Sequence, residues 1–265
     1  MKLTVIGAGN MGRALIKGFI SGKVLRSEEI YVYDVIEAAT NKAAEDFNVN
    51  ASIDPEADVK DSDYVLMAVK PQHFDATLGS LKDSLGENTI VLSIAAAVTL
   101  GRIKGIIGDR KCVRIMPNTP AQVLSGVSAV CPSGLDEEEK AFVKRLFETC
   151  GIVVLCEEKT LDAIGCVSGT GPAYVMLFIE AMADAAVSLG VRRDEALKIA
   201  AATVAGSGKL CLETGTHPAV LKDQVTSPAG TTIEGVKALE ENGFRNAVIK
   251  SVTAAWDKTL KMQGK

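Results

Sequence analysis

The chain lacks a basic face. Its 265 residues carry 29 Lys+Arg against 33 Asp+Glu, a formal net charge of −4, and the pI lies near 5.4. No run of lysines and arginines interleaves with aromatics, so nucleic acid is not an expected partner. Metal spacing is missing too: the six cysteines, Cys112, Cys131, Cys150, Cys156, Cys166 and Cys211, form no CxxC. They sit in apolar segments, where cysteine behaves as a small hydrophobe, and that usage suits a reducing cytoplasm. No metal is expected. An uninterrupted apolar run is also absent, because the most apolar helical stretch, residues 174–189, is broken by Glu180 and Asp184; no membrane span is expected. The first residue almost abuts the first strand pattern, which leaves no room for a signal or transit peptide and points to a cytoplasmic location. There are only two histidines, His73 and His217, and His217 precedes Pro218 in a turn pattern, so neither suits a general acid.

What the chain does have begins at once. Lys2-Leu3-Thr4-Val5-Ile6 reads as a strand that runs into Gly7-Ala8-Gly9-Asn10-Met11-Gly12, and a helical pattern follows through Ala14, Leu15, Phe19 and Ile20. This is GxGxxG between a strand and a helix, the context in which it binds a dinucleotide. Gly7 permits the tight turn, Gly9 the approach of a pyrophosphate, and Gly12 close packing of helix on strand. A second strand, Ile30-Tyr31-Val32-Tyr33, ends at Asp34, roughly 20 residues beyond Gly12, where a carboxylate meets the adenosine ribose. A carboxylate accepts hydrogen bonds from both ribose hydroxyls and repels a 2′-phosphate. The next residues, Val35, Ile36 and Glu37, offer no base before Lys42, so NADH is favoured over NADPH.

At this length two domains are expected. Strand patterns recur at residues 64–69, 89–94 and 111–116, near-continuously apolar and alternating with helical patterns, which argues a parallel sheet covered on both faces in a doubly wound, Rossmann-like fold. Residues 126–131 and 151–156 read as two more strands, flanking a helix capped by Asp136. The α/β domain is drawn as residues 1–156. Beyond it the strand signal vanishes, and helices are expected at about 172–189, 194–213, 229–241 and 244–262, giving an all-helical domain over residues 157–265. Its first long helix is apolar around most of its circumference, through Met176, Leu177, Phe178, Ile179, Met182, Ala183 and Val187. Such a helix must be buried, and four helices offer only a small core, so an extensive dimer is expected.

In an open α/β sheet ligands lie beyond the carboxyl ends of the strands. Three loops there stand out. In Ala68-Val69-Lys70-Pro71, Lys70 either neutralises part of a cofactor's charge or is a solvated strand-end lysine. Ala95, Ala96 and Ala97 leave space for a nicotinamide ribose. Pro117 and Pro120 stiffen a loop in which Asn118 and Thr119 form either a wall beside the nicotinamide or an ordinary proline turn. Far along the chain, Ser227-Pro228-Ala229-Gly230-Thr231-Thr232 opens a helix with small residues. It reads as an anion socket, with Ser227 capping, Pro228 first in the helix and backbone N–H groups facing a carboxylate or phosphate, or as an ordinary helix opening.

Together, Gly7 to Gly12, Val69-Lys70-Pro71, Met116-Pro117-Asn118-Thr119-Pro120, Ser168-Gly169-Thr170-Gly171-Pro172-Ala173-Tyr174 and Ser227 to Thr232 resemble the pyrroline-5-carboxylate reductases, in order and over nearly the whole chain. The resemblance implies an oxidoreductase using NAD(P)H to reduce a cyclic imine, 1-pyrroline-5-carboxylate, to L-proline in the last step of proline biosynthesis. It implies a Rossmann-like domain, a C-terminal helical dimerisation domain, and homodimers or higher homo-oligomers. On it, Gly7, Ala8, Gly9, Asn10, Met11, Gly12, Asp34, Ala68, Val69, Lys70, Pro71, Ala95, Ala96, Ala97 and Asn118 hold the cofactor. The substrate carboxylate falls to main-chain N–H groups of Gly230, Thr231 and Thr232, with Ser227 in the same socket. Glu158 is either an acidic group near the substrate ring, favouring the iminium, or a solvated residue at a domain junction. The chain departs from relatives in having Ala229 where many carry glycine, and Asp34-Val35 where NADPH users often carry Asn-Arg. The rival hydroxyacid dehydrogenases pair a helix lysine with an asparagine four residues on; here Lys209 is followed by Glu213, so that pair is absent.

Overall fold

In the computed structural model, which describes residues 1–263, the chain forms two compact units: residues 1–170 with the segment from Trp256 onward, and residues 171–255. The first is built on one eight-stranded sheet. Its strands are β1 (Leu3–Ile6), β2 (Ile30–Tyr33), β3 (Asn50–Ala51), β4 (Tyr64–Met67), β5 (Ile90–Ser93), β6 (Cys112–Met116), β7 (Gly126–Ser133) and β8 (Gly151–Leu155), in spatial order β3-β2-β1-β4-β5-β6-β7-β8. The helices between them are α1 (Asn10–Ser21), α2 (Glu37–Phe47), α3 (Pro55–Lys60), α4 (Pro71–Leu81), α5 (Leu100–Ile107) and α6 (Glu137–Glu148).

β1, β4 and β5 are buried along their whole length, as strands covered on both faces must be. Successive side chains go to opposite faces. Leu3, Val5, Leu66 and Leu92 pack with Leu15, Ile16 and Phe19 of α1 and Phe142, Leu146 and Phe147 of α6. Ile6, Val65, Met67 and Val91 pack on Phe74, Leu78 and Leu81 of α4 and on Ile103 and Ile107 of α5. At roughly 1.5–3 kcal/mol for each large side chain taken out of water, these two layers hold the sheet. Asp136 caps α6 as expected: its Oδ1 accepts from Glu139 N at 2.9 Å while Glu139 Oε2 accepts from Asp136 N at 3.0 Å.

Two features go beyond the sequence expectation. β7 runs antiparallel to β6, with Arg114 opposite Cys131, because only a short 3-10 turn at Thr119–Val123 joins them and a parallel crossover needs a dozen residues or more. A further helix, α7 (Glu158–Ser168), packs with the sheet, and the first compact unit runs to Thr170, whereas the domain boundary drawn from the sequence lies at 156. Leu161 of α7 packs against Ala129 and Cys131 of β7, and a Cβ on Gly165 would stand only 3.1 Å from Met116 Cγ.

The second unit holds α8 (Gly171–Ser188), α9 (Arg193–Thr214), α10 (Pro218–Gln224), α11 (Thr231–Glu241) and the first part of α12 (Phe244–Met262). Its own core is small. Only Ala183, Ala196 and Ala200 are fully buried, with Ile179, Met182, Val187 and Val191 packed around them. Met176, Leu177, Leu189, Ile199, Leu212 and Ile249 are each more than half exposed. An apolar surface of that extent marks an interaction face. By length and composition alone the span Glu158–Ser188 also matches a membrane-crossing helix, an 18-residue window within it having mean hydropathy 1.3.

The turn into β8 depends on Gly151, whose φ of +136° and contact with Gly126 O leave no room for a side chain. Gly151→Ala is expected to destabilise the chain by about 2 kcal/mol or more. Gly105→Ala, in α5 with nothing within 4 Å of the new methyl, should instead stabilise it by about 0.5–1 kcal/mol. Urea unfolding midpoints of the two variants check the contrast.

Candidate active site

The chain order β1, β2, β3 runs outward in one direction, and β4 then returns to the other side of β1. The crevice between β1 and β4 is therefore the switch point at which such sheets bind ligands. Gly7 stands there with φ +114°, and a Cβ on it would lie 2.6 Å from Ala68 O. A Cβ on Gly12 would run into Gly7 O, whereas nothing lies within 4 Å of the position a Gly9 side chain would take. Gly9 is also the N-cap of α1; no side chain caps that helix and no acid lies in its first turn. Its leading N–H groups and positive dipole end thus face an open approach, which fits a pyrophosphate.

Asp34, at the end of β2, faces the glycine loop. Its Oδ2 accepts from Ala8 N at 2.8 Å and its Oδ1 from Ile36 N at 3.0 Å, while Thr40 Oγ1 accepts from Asp34 N at 2.8 Å. The carboxylate is thereby oriented at the glycine loop, and each oxygen keeps a second lone pair. Val35 and Ile36 beside it are largely exposed, and neither is basic.

The three strand-end loops follow β4, β5 and β6. Ala68 and Val69 are half-buried; Lys70 is exposed and leads into α4 at Pro71. Ala95 turns into the core with Met67 and Val98, Ala96 is exposed, and Ala97 adopts a left-handed φ of +60°. Asn118 is buried, and its amide is engaged internally: Nδ2 donates to Ser168 O at 2.9 Å and Oδ1 accepts from Val127 N at 2.8 Å. One Nδ2 hydrogen and one Oδ1 lone pair remain beyond these two bonds.

A buried ion cluster that the sequence reading did not anticipate lies behind these loops. Arg114 of β6, 1% exposed, donates from Nη2 to Asp162 Oδ1 at 2.5 Å and from Nη1 to Asp162 Oδ2 at 3.4 Å. Its Nη1 also donates to Glu158 Oε1 at 3.2 Å, the oxygen that accepts from Leu100 N at 2.7 Å. Gln263 Nε2 donates to Asp162 Oδ2 at 2.8 Å. The signal was available: an arginine in an otherwise apolar strand, Cys112 to Met116, requires a buried partner. Asp162 carries no such mark, since nothing near it in the sequence points to a buried cation.

In the second unit α11 begins at Thr231, with Gly230 as N-cap. The expected Ser227 cap and Pro228 helix start give way to a turn, in which Gly230 N donates to Ser227 O at 3.1 Å and Ala229 takes a left-handed φ of +55°. Gly230 N–H is therefore engaged. The donors without a partner inside the helix are those of Thr231, Thr232 and Ile233. A Cβ on Gly230 would collide with Ser227 Oγ, so the turn is built around a glycine.

Other candidate groups are occupied. His217 Nδ1 accepts from Ala219 N at 3.2 Å and caps α10, His73 is exposed on α4, and Lys209 pairs with Glu213 on the surface at 3.6 Å. Burial pushes the Cys131 thiol up to about 11 and raises those of Cys112, Cys150 and Cys156, so at neutral pH these are thiols, not nucleophilic thiolates.

Comparison with known proteins finds matches at both ends of the chain. The family described as pyrroline-5-carboxylate reductase dimerisation matches residues 158–262, and the family of coenzyme F420-dependent NADP oxidoreductases matches residues 2–97. Pyrroline-5-carboxylate reductase of Escherichia coli is 44% identical over 264 residues, covering 98% of each chain. A solved pyrroline-5-carboxylate reductase structure from Coxiella burnetii superposes with a TM-score of 0.92 at 32% identity, covering 98% of both chains. One from Plasmodium falciparum, solved with NADP bound, gives 0.89 at 30% identity, covering 99% of this chain and 98% of that one.

Removing the Asn118 amide strands a buried carbonyl and a buried N–H. Asn118→Ala is accordingly expected to lower stability by about 2 kcal/mol, read as a shift of the urea midpoint with an unchanged slope.

Proposed function

The chain belongs to the pyrroline-5-carboxylate reductase family, and we propose on that basis that it reduces 1-pyrroline-5-carboxylate to L-proline with NAD(P)H, the closing step of proline biosynthesis. The observation that carries the reading is the pairing, in one chain, of an uncapped glycine-loop helix with a far C-terminal helix whose first turn presents unfilled main-chain donors.

Gly7, Gly9 and the first turn of α1 would hold the pyrophosphate, Asp34 the adenosine ribose, and the loops at Ala68 to Pro71, Ala95 to Ala97 and Asn118 the nicotinamide half. The bound reduced cofactor supplies a hydride. A cyclic imine accepts it readily once its nitrogen is protonated, so the protein's work is orientation and electrostatics. We assign the substrate carboxylate to the N–H groups of Thr231 and Thr232, extended to Ile233, with the Thr232 hydroxyl beside them. Main-chain donors at a positive helix end suit a carboxylate without a buried cationic side chain. Glu158 is better read as a structural acceptor than as an acid, since one of its oxygens already serves Arg114 and Leu100 N.

The wide apolar surface of the helical unit supports self-association, which we take to be a homodimer, and we place the protein in the cytoplasm. NADH is the favoured cofactor in this reading, because the Asp34 carboxylate points at the glycine loop and no base flanks it.

Two measurements test the assignment. Asp34→Ser removes the repulsion toward a 2′-phosphate and is expected to move the kcat/KM ratio of NADPH to NADH upward by about tenfold; a wild type that strongly prefers NADPH would refute the ribose argument. Thr231→Pro deletes one main-chain donor at a helix position that tolerates proline, following an extended Gly230 (ψ 173°). It should raise KM for pyrroline-5-carboxylate about tenfold while Thr231→Ala changes it little, with helix content by circular dichroism retained in both.

A further inference from the structure

We propose that Arg114 is a positioning residue for the reduction, acting through α7 on the two loops that follow β5 and β6; the inference rests on the reductase reading above. α7 is a rod of three turns fastened at both ends. Glu158, its first residue, accepts from Leu100 N at the start of α5, three residues after Ala97. Ser168, its last, accepts through its carbonyl from Asn118 Nδ2, in the loop after β6. The length and tilt of α7 therefore set the separation of the two loops assigned to the nicotinamide half.

Arg114 fixes that tilt. Its guanidinium grips Asp162, one turn beyond Glu158, with two donors and reaches Glu158 with one of them, while Gly165 lets the rod sit hard against Met116. A planar fork on a carboxylate defines an angle as well as a distance, which an ammonium does not. Stability alone does not call for this arrangement, since a buried ion pair replaced by apolar groups of similar volume is often as stable or more so. Gln263 adds a further hold on Asp162 from the end of the chain. Arg114 Nε finds no partner among the described residues, so the hold on the two carboxylates comes from Nη1 and Nη2.

The test uses the full chain as Arg114→Lys, Arg114→Met and the double variant Arg114→Met with Asp162→Leu. Each is assayed with pyrroline-5-carboxylate and both NADH and NADPH, melted thermally, and titrated with NADH by the fluorescence of the bound nicotinamide. The double variant should melt above Arg114→Met, in which Asp162 stays buried and unpaired, yet keep kcat about 100-fold down with the NADH Kd changed less than about threefold, as expected of a misplaced reacting ring. Arg114→Lys should give an intermediate kcat. A double variant with kcat within about threefold of wild type, or a kcat that simply follows melting temperature across all three variants, would overturn the proposal and leave Arg114 a fold-holding residue. If the double variant does not fold, Arg114→Lys decides: kcat down at least about fivefold at unchanged melting temperature supports the role, and unchanged kcat overturns it. A wild type that binds NADH but never turns over pyrroline-5-carboxylate refutes the reductase reading instead. Bound-NADH emission then judges Arg114, an altered spectrum in the folded variants supporting positioning and an identical one overturning it.

Discussion

The close approach of two backbones at the crevice between β1 and β4 is the constraint on which the rest of the first unit depends. Gly7 sits where any side chain would strike Ala68 O, and Gly12 where any side chain would strike Gly7 O. With both methyls absent, α1 starts hard against the sheet with its leading amides aimed outward at the switch point. Asp34 reinforces the same arrangement from β2, since its carboxylate accepts from Ala8 N within the loop. One short stretch of small residues thus positions a glycine loop, a helix end and a carboxylate on common ground.

The remaining strand ends are organised by polar contacts behind them. Ala95 to Ala97 and Asn118 lie in short connections that would otherwise be loose, and each connection is tied to α7, one through Glu158 and the other through the Ser168 carbonyl. The cluster of Arg114, Asp162, Glu158 and Gln263 makes that tie directional. Asn118 illustrates the economy of the arrangement: its side chain ties the loop both to α7 and to the start of β7.

The helical unit is organised on a different principle. Its buried core is three alanines, and most of its large apolar side chains face outward. A helix with the composition of α8 cannot remain in water on that footing, and the match of residues 158–262 to a dimerisation family accords with a second copy as its partner. The left-handed Ala229 and the turn closed by Gly230 N onto Ser227 O set the start of α11.

Local pattern sufficed for the glycine loop, Asp34, the buried strands, the capping box at Asp136 and the long helices, because each is written in residues near one another: a period, a cap, a glycine at a fixed offset. It sufficed also for the family, since ordered motifs survive without knowledge of contacts. What only the tertiary structure decided involves partners distant along the chain. The antiparallel β7 follows from a connection too short to cross over. α7 joins the sheet because Leu161, Asp162 and Gly165 find β6 and β7. α11 opens at Thr231 and not at Pro228 because Ser227 to Gly230 close a turn of their own. Arg114 could be suspected from its apolar strand, but its carboxylates lie more than forty residues away, and burial of a charge is a property of the folded interior that no neighbouring residue encodes.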